Sequence, residues 1–589
     1  MKICALRQQV LDCTGHVIVL GGPGSGKTTI ALKKALKRIE EGLLPGQSAL
    51  FLSFSRAAVA RILQASKAEV PRNGRSLLNV QTFHSFFWDL LTAHAYLIGA
   101  QKPLSILMPQ DERALSGGIN AAKNPVEWAA WLKERERLFV EEGRIAFDLF
   151  APNAAALLGH SALLRGLIAQ KYPLIIVDEA QDTGPDAWRC IEHLASLTQI
   201  LCLADLEQQI FDHLPGIGPE RLAAISLALT PLQIDLGSEN LRSPGSEIVI
   251  FGQDILKGTP RGSGYKGVTS MSFNQNADLA VTLRRALGCL QREVRVETGS
   301  WAKNIAVLVP SATEAAAVSK SLNSGDKPVP HKLLFDEAEA LLASRFAAFL
   351  LEPKESIPES LQVADGLMLL ADMRKANGAT GDVSRLLGWS IKIRAGKSTP
   401  ARLVVSLRAL LGHLVTSSFL GDPAKDWIKV KQALRASKEK TLMSVAQHLD
   451  YLVAFNRGKR ISAGLGDAWM RYGEYRQARA VLDAALAQDL IFDGIDDPEG
   501  VQVMTIHKSK GKQFDGVLIM RRGRHNGTST VSSFIWRDDV PPYTRSRKIL
   551  MVGITRARSH TMLLQQVWPS CPILAFHVLR SPFDTEAPE

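Results

Sequence analysis

The stretch Val17-Ile18-Val19-Leu20-Gly21-Gly22-Pro23-Gly24-Ser25-Gly26-Lys27-Thr28-Thr29-Ile30-Ala31-Leu32 runs from an apolar segment through a glycine-rich loop into a helical pattern. Strand, loop and helix in that order predict an α/β fold in which a parallel sheet carries a phosphate-binding loop. In a G-x-x-x-x-G-K-[ST] loop, backbone N–H groups and the helix N-terminus surround the phosphates of a nucleotide, the lysine meets the β- and γ-phosphates and the hydroxyl binds Mg²⁺. Here Gly21 and Gly26 frame the loop, Gly22, Pro23, Gly24 and Ser25 form its body, Lys27 brings the charge, Thr28 the hydroxyl, and Thr29 enters the helix.

Phosphoryl chemistry needs a carboxylate on a neighbouring strand. Leu174-Ile175-Ile176-Val177 reads as a buried parallel strand because it is apolar without alternation, and Asp178-Glu179-Ala180-Gln181-Asp182 follows it. At the end of that strand Asp178 is placed to hold Mg²⁺, and Glu179 to polarise an attacking water as general base.

A chain of 589 residues, 46% hydrophobic and 22% charged, is globular and too long for a single core. Its formal charge of +12 points to a polyanionic partner, since lysine and arginine neutralise phosphates and release counterions. Basic residues cluster in the second half, at Lys392, Arg394 and Lys397, from Lys425 to Lys440, from Arg457 to Arg460 and from Arg521 to Arg524. The cysteines Cys4, Cys13, Cys190, Cys202, Cys289 and Cys571 show no metal-ligand spacing and read as reduced thiols. With no secretory pattern and no apolar run approaching about 18 residues, a soluble cytoplasmic protein without a membrane partner is expected.

Strand-like segments are further expected at Ala49–Ala58, where a strand breaks into a helix, and Leu77–Phe86, and strands at Ile200–Asp205, Gln233–Leu236, Gly267–Ser272, Ile305–Val309, Val501–Thr505, Gly516–Met520 and Met562–Leu564. Two long stretches between them carry helical periodicity. The expected division is therefore 1–86 with 169–230 as a nucleotide-binding α/β domain, 87–168 as its helical insertion, 231–334 with 493–589 as a second α/β domain, and 335–492 as a basic helical insertion. Ser581 to Glu589 reads as a short tail.

Taken in order, the motifs resemble those of UvrD/Rep-type helicases of superfamily 1. Gln8 lies where that family's Q motif reads the adenine edge. Ser53-Phe54-Ser55 with Ala57-Ala58 resembles T-F-T-x-x-A-A, and Thr82-Phe83-His84 resembles T-F-H; both line the single-stranded DNA path in the family. Asp178 to Asp182 matches D-E-x-Q-D, and Asp205 with Gln208 the motif whose glutamine senses the γ-phosphate. Asn240, Arg242 and Ser243 resemble N-Y-R-S, Thr505-Ile506-His507-Lys508-Ser509-Lys510-Gly511 resembles T-x-H-x-x-K-G, and Val552 to Arg558 resembles V-A-x-T-R-A-[KR].

The resemblance implies two RecA-like P-loop domains, 1A and 2A, with parallel sheets and mainly helical 1B and 2B insertions. ATP and Mg²⁺ would occupy the 1A/2A cleft, with Lys27, Thr28, Asp178, Glu179 and Gln208 on one side and the transition-state arginines Arg242 and Arg556 on the other. His507 and Thr505 would couple that cleft to DNA. The implied activity is a DNA-dependent ATPase that translocates on single-stranded DNA and unwinds at single-strand/duplex junctions with 3′→5′ polarity, in repair, replication or recombination. The alternative is a DNA-sensing ATPase subunit serving a nuclease partner in a Gabija-type antiphage complex. Three departures alter this pattern: Leu241 replaces the adenine-stacking tyrosine, His213-Leu214 replaces an aromatic and a cation that grip DNA, and Gln513 replaces a carboxylate near the nucleotide sugar.

Overall fold

Long apolar runs become strands that are buried on both faces, and in the computed structural model these pair in parallel into two six-stranded sheets. The structure describes residues 3–116, 119, 124–210, 220–237, 243, 245–324, 328–334, 338–376, 380–416, 418–451, 459–492, 499–526, 529–537 and 539–583.

The first sheet runs in the order Leu78–Thr82, Ala49–Ser53, Leu174–Val177, Gln199–Ala204, Val17–Leu20, Leu232–Asp235. Leu20 pairs in register with Ala204 and with Asp235, and Leu52 with Val177. Because every strand points the same way, the phosphate loop, Asp178 and Asp205 all leave the sheet at its carboxyl edge, where ligands of open parallel sheets bind. The second sheet runs His331–Leu334, Gly500–Thr505, Asn304–Val309, Phe514–Arg521, Ala557–Gln566, Val268–Phe273, again all parallel.

The strand Leu232–Asp235 corrects the boundary expected at 231. It lies beside Val17–Leu20 in the first sheet, and the following Gly237 carbonyl accepts from Gly22 N at 2.9 Å. With only Ile234 of its four residues buried, this edge strand carries too little pattern for the sequence to say which sheet it extends.

The chain divides into two bodies. One comprises Met1–Phe87, Ala154–Phe335 and Gly494–Glu589 and holds both sheets; the other comprises Trp88–Asn153 and Asp336–Asp493 and is mainly helical. The first helical insertion thus ends near residue 153 rather than 168. Helix Phe150–His160 continues through that point, so the periodicity does not change there. Met108 from the earlier stretch packs in one core with Phe346, Leu350, Leu367, Leu407, Trp427 and Leu442 from the later one. Arg345 pairs with both Asp111 and Asp483 within this helical body. All six cysteines are free, four of them buried. Among the described residues no helix is long and apolar enough to cross a membrane.

Candidate functional site

The phosphate loop turns into helix Lys27–Glu40 through Gly26, whose φ of 87° lies in the left-handed region that glycine adopts without strain. At Gly21 the constraint is space: a Cβ there would lie 2.5 Å from Ser25 Oγ. Lys27 Nζ donates to the carbonyls of Gly21 at 2.6 Å and Gly22 at 3.0 Å, and pairs with Asp205 Oδ2 at 3.4 Å. Buried Arg7, on helix Ala5–Asp12, supports the loop from behind by donating to the Ser25 carbonyl at 3.2 Å. Ser25 Oγ is buried and has no hydrogen-bond partner among the described residues, as expected of a polar atom in a cradle built for a polar ligand.

The carboxylates follow at the next strand end. Burial, then repulsion from Glu179, raises the Asp178 pKa to about 6, while Ser53 Oγ donates to its Oδ2 at 3.1 Å. Glu179 adopts φ 51° and ψ 45°, a left-handed conformation uncommon for a non-glycine residue. Burial opposes its ionisation, but Lys510, Lys27, the Gln181 amide and Arg556 outweigh that and hold it below the usual carboxylate range. Gln181 ties the loops together. Its Nε2 donates to Glu179 Oε2 at 2.6 Å and to Asp182 Oδ2 at 3.2 Å, and its Oε1 accepts from Asp205 N at 3.0 Å.

Residues from the second sheet complete the cluster. Gln208 Nε2 donates to Asp205 Oδ2 at 2.7 Å, and Gln208 Oε1 accepts from Arg556. Arg556 is 1% exposed; burial and nearby Arg61 lower its pKa to about 10, so it remains a cation at neutral pH. Lys510 donates to Asp182 and, at 2.6 Å, to the Gln208 carbonyl. Gly511, at φ 79°, brings this segment so close to the first sheet that a Cβ would lie 2.5 Å from Ser55 Oγ. A cavity of about 510 Å³ is lined by Gly24 to Thr29, Arg61, Gln64, Asp178, Glu179, Gln208, Gln513, Arg556 and Arg558, a size suited to a nucleotide.

The structure thus brings together Gly24, Ser25, Gly26, Lys27, Thr28, Thr29, Asp178, Glu179, Gln208, Gln513 and Arg556 around one cavity. Among the described residues no group of three or more His, Cys, Asp or Glu is arranged to hold a metal. One buried carboxylate and one loop hydroxyl suit a cation that draws its remaining ligands from phosphate and water.

Gln8 is exposed and does not line this cavity; its amide donates to Asp12 at 2.9 Å. Of the residues expected along DNA, Ser53 is fully buried and its hydroxyl donates to Asp178. Ser55 caps helix Arg56–Glu69, Thr82 accepts from Ser85 N at 3.0 Å, and Phe83 is buried against Phe87. Thr505 caps the short helix Ile506–Ser509. Phe54 is 39% exposed; His84 is half-buried, with its pKa lowered by burial and then by Arg56; and His507 meets the Trp536 ring edge-on at 5.3 Å. Leu241, Arg242 and His213 lie outside the described residues.

Arg7, Arg61, Gln64 and Lys510 are site residues that the sequence alone did not single out. For Lys510 a signal existed, the third position after His507 in its motif; for Arg7, Arg61 and Gln64 none did, because helix packing alone delivers them.

A phosphate loop on one parallel sheet, with a buried arginine presented from a second sheet of the same kind, defines a P-loop nucleotide-binding protein with two RecA-like halves. The UvrD/REP helicase N-terminal domain matches residues 5–129 and 119–215. The chain is 22% identical to the ATP-dependent DNA helicase Rep of Salmonella typhimurium, over 92% of this chain and 88% of the relative. It is 22% identical to the ATP-dependent DNA helicase UvrD2 of Mycobacterium tuberculosis, over 95% and 77%, and 20% identical to YjcD of Bacillus subtilis, over 96% and 78%. Over nearly its whole length the chain is similar to UvrD/Rep-type helicases.

Proposed function

We propose that this chain is an ATP-dependent DNA helicase that uses ATP hydrolysis to move along single-stranded DNA and open single-strand/duplex junctions, with 3′→5′ polarity and in the cytoplasm. The observation that carries the reading is the convergence on Gln208 of Arg556 and Lys510 from the second sheet, beside the loop that holds Lys27.

The loop N–H groups and Lys27 hold the β- and γ-phosphates, with Lys27 exchanging the Gly21 and Gly22 carbonyls for phosphate oxygens. Mg²⁺, held by Thr28 and Asp178, would supply charge neutralisation at the phosphates. Glu179, kept ionised by its cationic neighbours, takes the proton from the attacking water. Gln208 orients the γ-phosphoryl group, and Arg556 meets its developing charge only while the two sheets are seated together. Each turnover then alters how the sheets seat, and residues such as Phe54 and His507 convert that change into movement along DNA.

The test is ATPase activity with and without single-stranded DNA, in the wild type and in Glu179→Gln, together with unwinding of duplexes bearing a 3′ or a 5′ tail. Stimulation by DNA, a loss of ~10²-fold or more in Glu179→Gln and unwinding from the 3′ tail are expected. Hydrolysis that ignores DNA, or that survives Glu179→Gln, overturns the reading.

A further inference from the structure

Two successive loops of the first sheet meet at one side chain of the second. Lys510 Nζ donates both to Asp182, which ends the acidic loop, and to the Gln208 carbonyl at 2.6 Å in the loop after the neighbouring strand. The contact is internal, with side-chain exposures of 8% for Lys510 and 1% for Asp182. From Asp182 the connection passes through the Gln181 amide to Glu179, and through Gln181 Oε1 to the backbone of Asp205. From Gln208 it passes through that residue's own side chain to Arg556 and Asp205, and Asp205 in turn pairs with Lys27. One ammonium group therefore closes a ring of polar contacts through Asp182, Gln181, Asp205 and Gln208, from which the proposed general base Glu179 branches at Gln181 and Arg556 at Gln208.

Asp182 depends on this contact. Its Oδ1 is buried without a hydrogen-bond donor among the described residues, so the Oδ2 contacts with Lys510 and Gln181 are all that compensate its charge. Even against the pull of Lys510, burial raises the Asp182 pKa to about 7, so without Lys510 the carboxyl protonates or rotates toward water. Either response loosens the Gln181 amide, which also holds the Glu179 carboxylate at 2.6 Å.

We infer that Lys510 is a positioning residue which, by bridging Asp182 and the Gln208 backbone from the second sheet, makes the catalytic placement of Glu179 and Gln208 conditional on the two sheets being seated. This rests on the proposed ATPase function and adds to it a route by which the seating of one sheet is read at the water-activating side of the other. Arg556 acts on the phosphoryl group itself; Lys510 touches no substrate and works through its partners.

The experiment compares wild type, Lys510→Arg, Lys510→Met and Asp182→Asn, together with the Lys510→Met/Asp182→Asn double variant. ATP turnover is measured with saturating single-stranded DNA, and nucleotide affinity is measured separately by equilibrium binding of a non-hydrolysable ATP analogue. Methionine keeps the apolar stem and removes the charge, and thermal unfolding in each variant monitors the fold. The expected pattern is a drop in kcat of at least ~10-fold in Lys510→Met, with analogue affinity within about 3-fold of wild type. Lys510→Arg should recover most of the turnover, and the double variant should lose no more than the worse single one, because both act through one contact. Unchanged kcat in Lys510→Met, or losses that multiply in the double variant, would overturn the inference while leaving the ATPase assignment intact. Equal loss of affinity and turnover, or no rescue by arginine in a folded protein, would reduce Lys510 to a general structural contact and likewise reject it. Absence of DNA-stimulated hydrolysis in the wild type is the separate failure of the functional reading.

Discussion

Buried polar side chains are distributed differently in the two bodies of this chain. In the α/β body, Gln181, Asp182, Asp205, Gln208 and Arg556 are buried and joined by hydrogen bonds between the carboxyl edge of the first sheet and the second sheet, beside the cavity that Asp178 also lines. In the helical body several buried polar groups instead sit in small separate sites closed by a few neighbours. Asp426 accepts from the backbone N–H groups of Leu420 and Gly421 and from Tyr475 Oη at 2.6 Å. Lys354 donates to the Phe349 and Glu352 carbonyls, and Gln362 to the carbonyls of Lys354 and Ile357. The difference teaches what each body is for. A convergent network with charge to spare, spread over two sheets, is arranged to act on a ligand, whereas isolated and closed sites each pin one turn of chain and give the body its shape.

The strongest way to break this comparison is to remove the arginine of the second sheet that lines the cavity. Arg556→Ala should lower ATP turnover by ~10³-fold or more while leaving nucleotide binding nearly intact, if the guanidinium has its proposed role of serving developing charge rather than ground-state affinity. Single-turnover kinetics with a separate binding isotherm reads both quantities. A variant that mainly loses affinity would show that the arginine belongs to the binding site alone.

The same contrast explains which parts could be read from the sequence. Gly21 to Thr29 and Asp178-Glu179 are legible because their chemistry is written in adjacent positions, and a strand before each fixes which edge they occupy. Gln208 and Arg556 were legible only through the resemblance, and their direct contact is a fact of packing. Arg7, which supports the loop from a preceding helix, and Arg61, which arrives on helix Arg56–Glu69, have no spacing that could announce them. Ser53 was expected beside DNA only through the resemblance of its segment to the family's T-F-T motif, and its hydroxyl donates to Asp178, a contact that no sequence spacing announces. The insertion boundary was misplaced because helix continues on both sides of it, and strand Leu232–Asp235 because a short edge carries no record of its neighbour.

A second prediction sharpens the comparison from the other body. Asp426→Ala would strand the Leu420 and Gly421 N–H groups and the Tyr475 hydroxyl in a buried place, and the loss of several bonds to one carboxylate should cost about 3–5 kcal/mol. Thermal unfolding should show a transition moved to lower temperature, while DNA-stimulated ATP turnover per folded molecule stays within about 2-fold at low temperature, since no member of the cavity is touched. Turnover falling as steeply as in Arg556→Ala would mean that the helical body takes part in the chemistry.

The smallest expected effect concerns Lys354 and carries a sign. Burial lowers its pKa to about 8 from 10.5, against the pull of Glu352 and with the help of Arg479. Unfolded, the amine would hold its proton up to its ordinary value; folded, it releases it earlier. Between about pH 8 and pH 10.5 the unfolded chain therefore binds more protons than the native one, and stability should rise with pH by at most roughly 3 kcal/mol from this group. Below pH 8 both states are protonated and the penalty of burying the charge is constant. It is reduced by the two carbonyls that accept from the ammonium and by the Phe349 ring, whose centroid lies 4.1 Å away. Lys354→Met removes the titration but also strands those carbonyls, so its absolute stability is a poor test. The informative quantity is the change in urea midpoint of the helical body's transition between pH 7.5 and pH 10, wild type minus variant. A positive difference is expected; a zero or negative one would show that the ammonium is fully compensated where it lies and that this buried cation is as closed a site as Asp426.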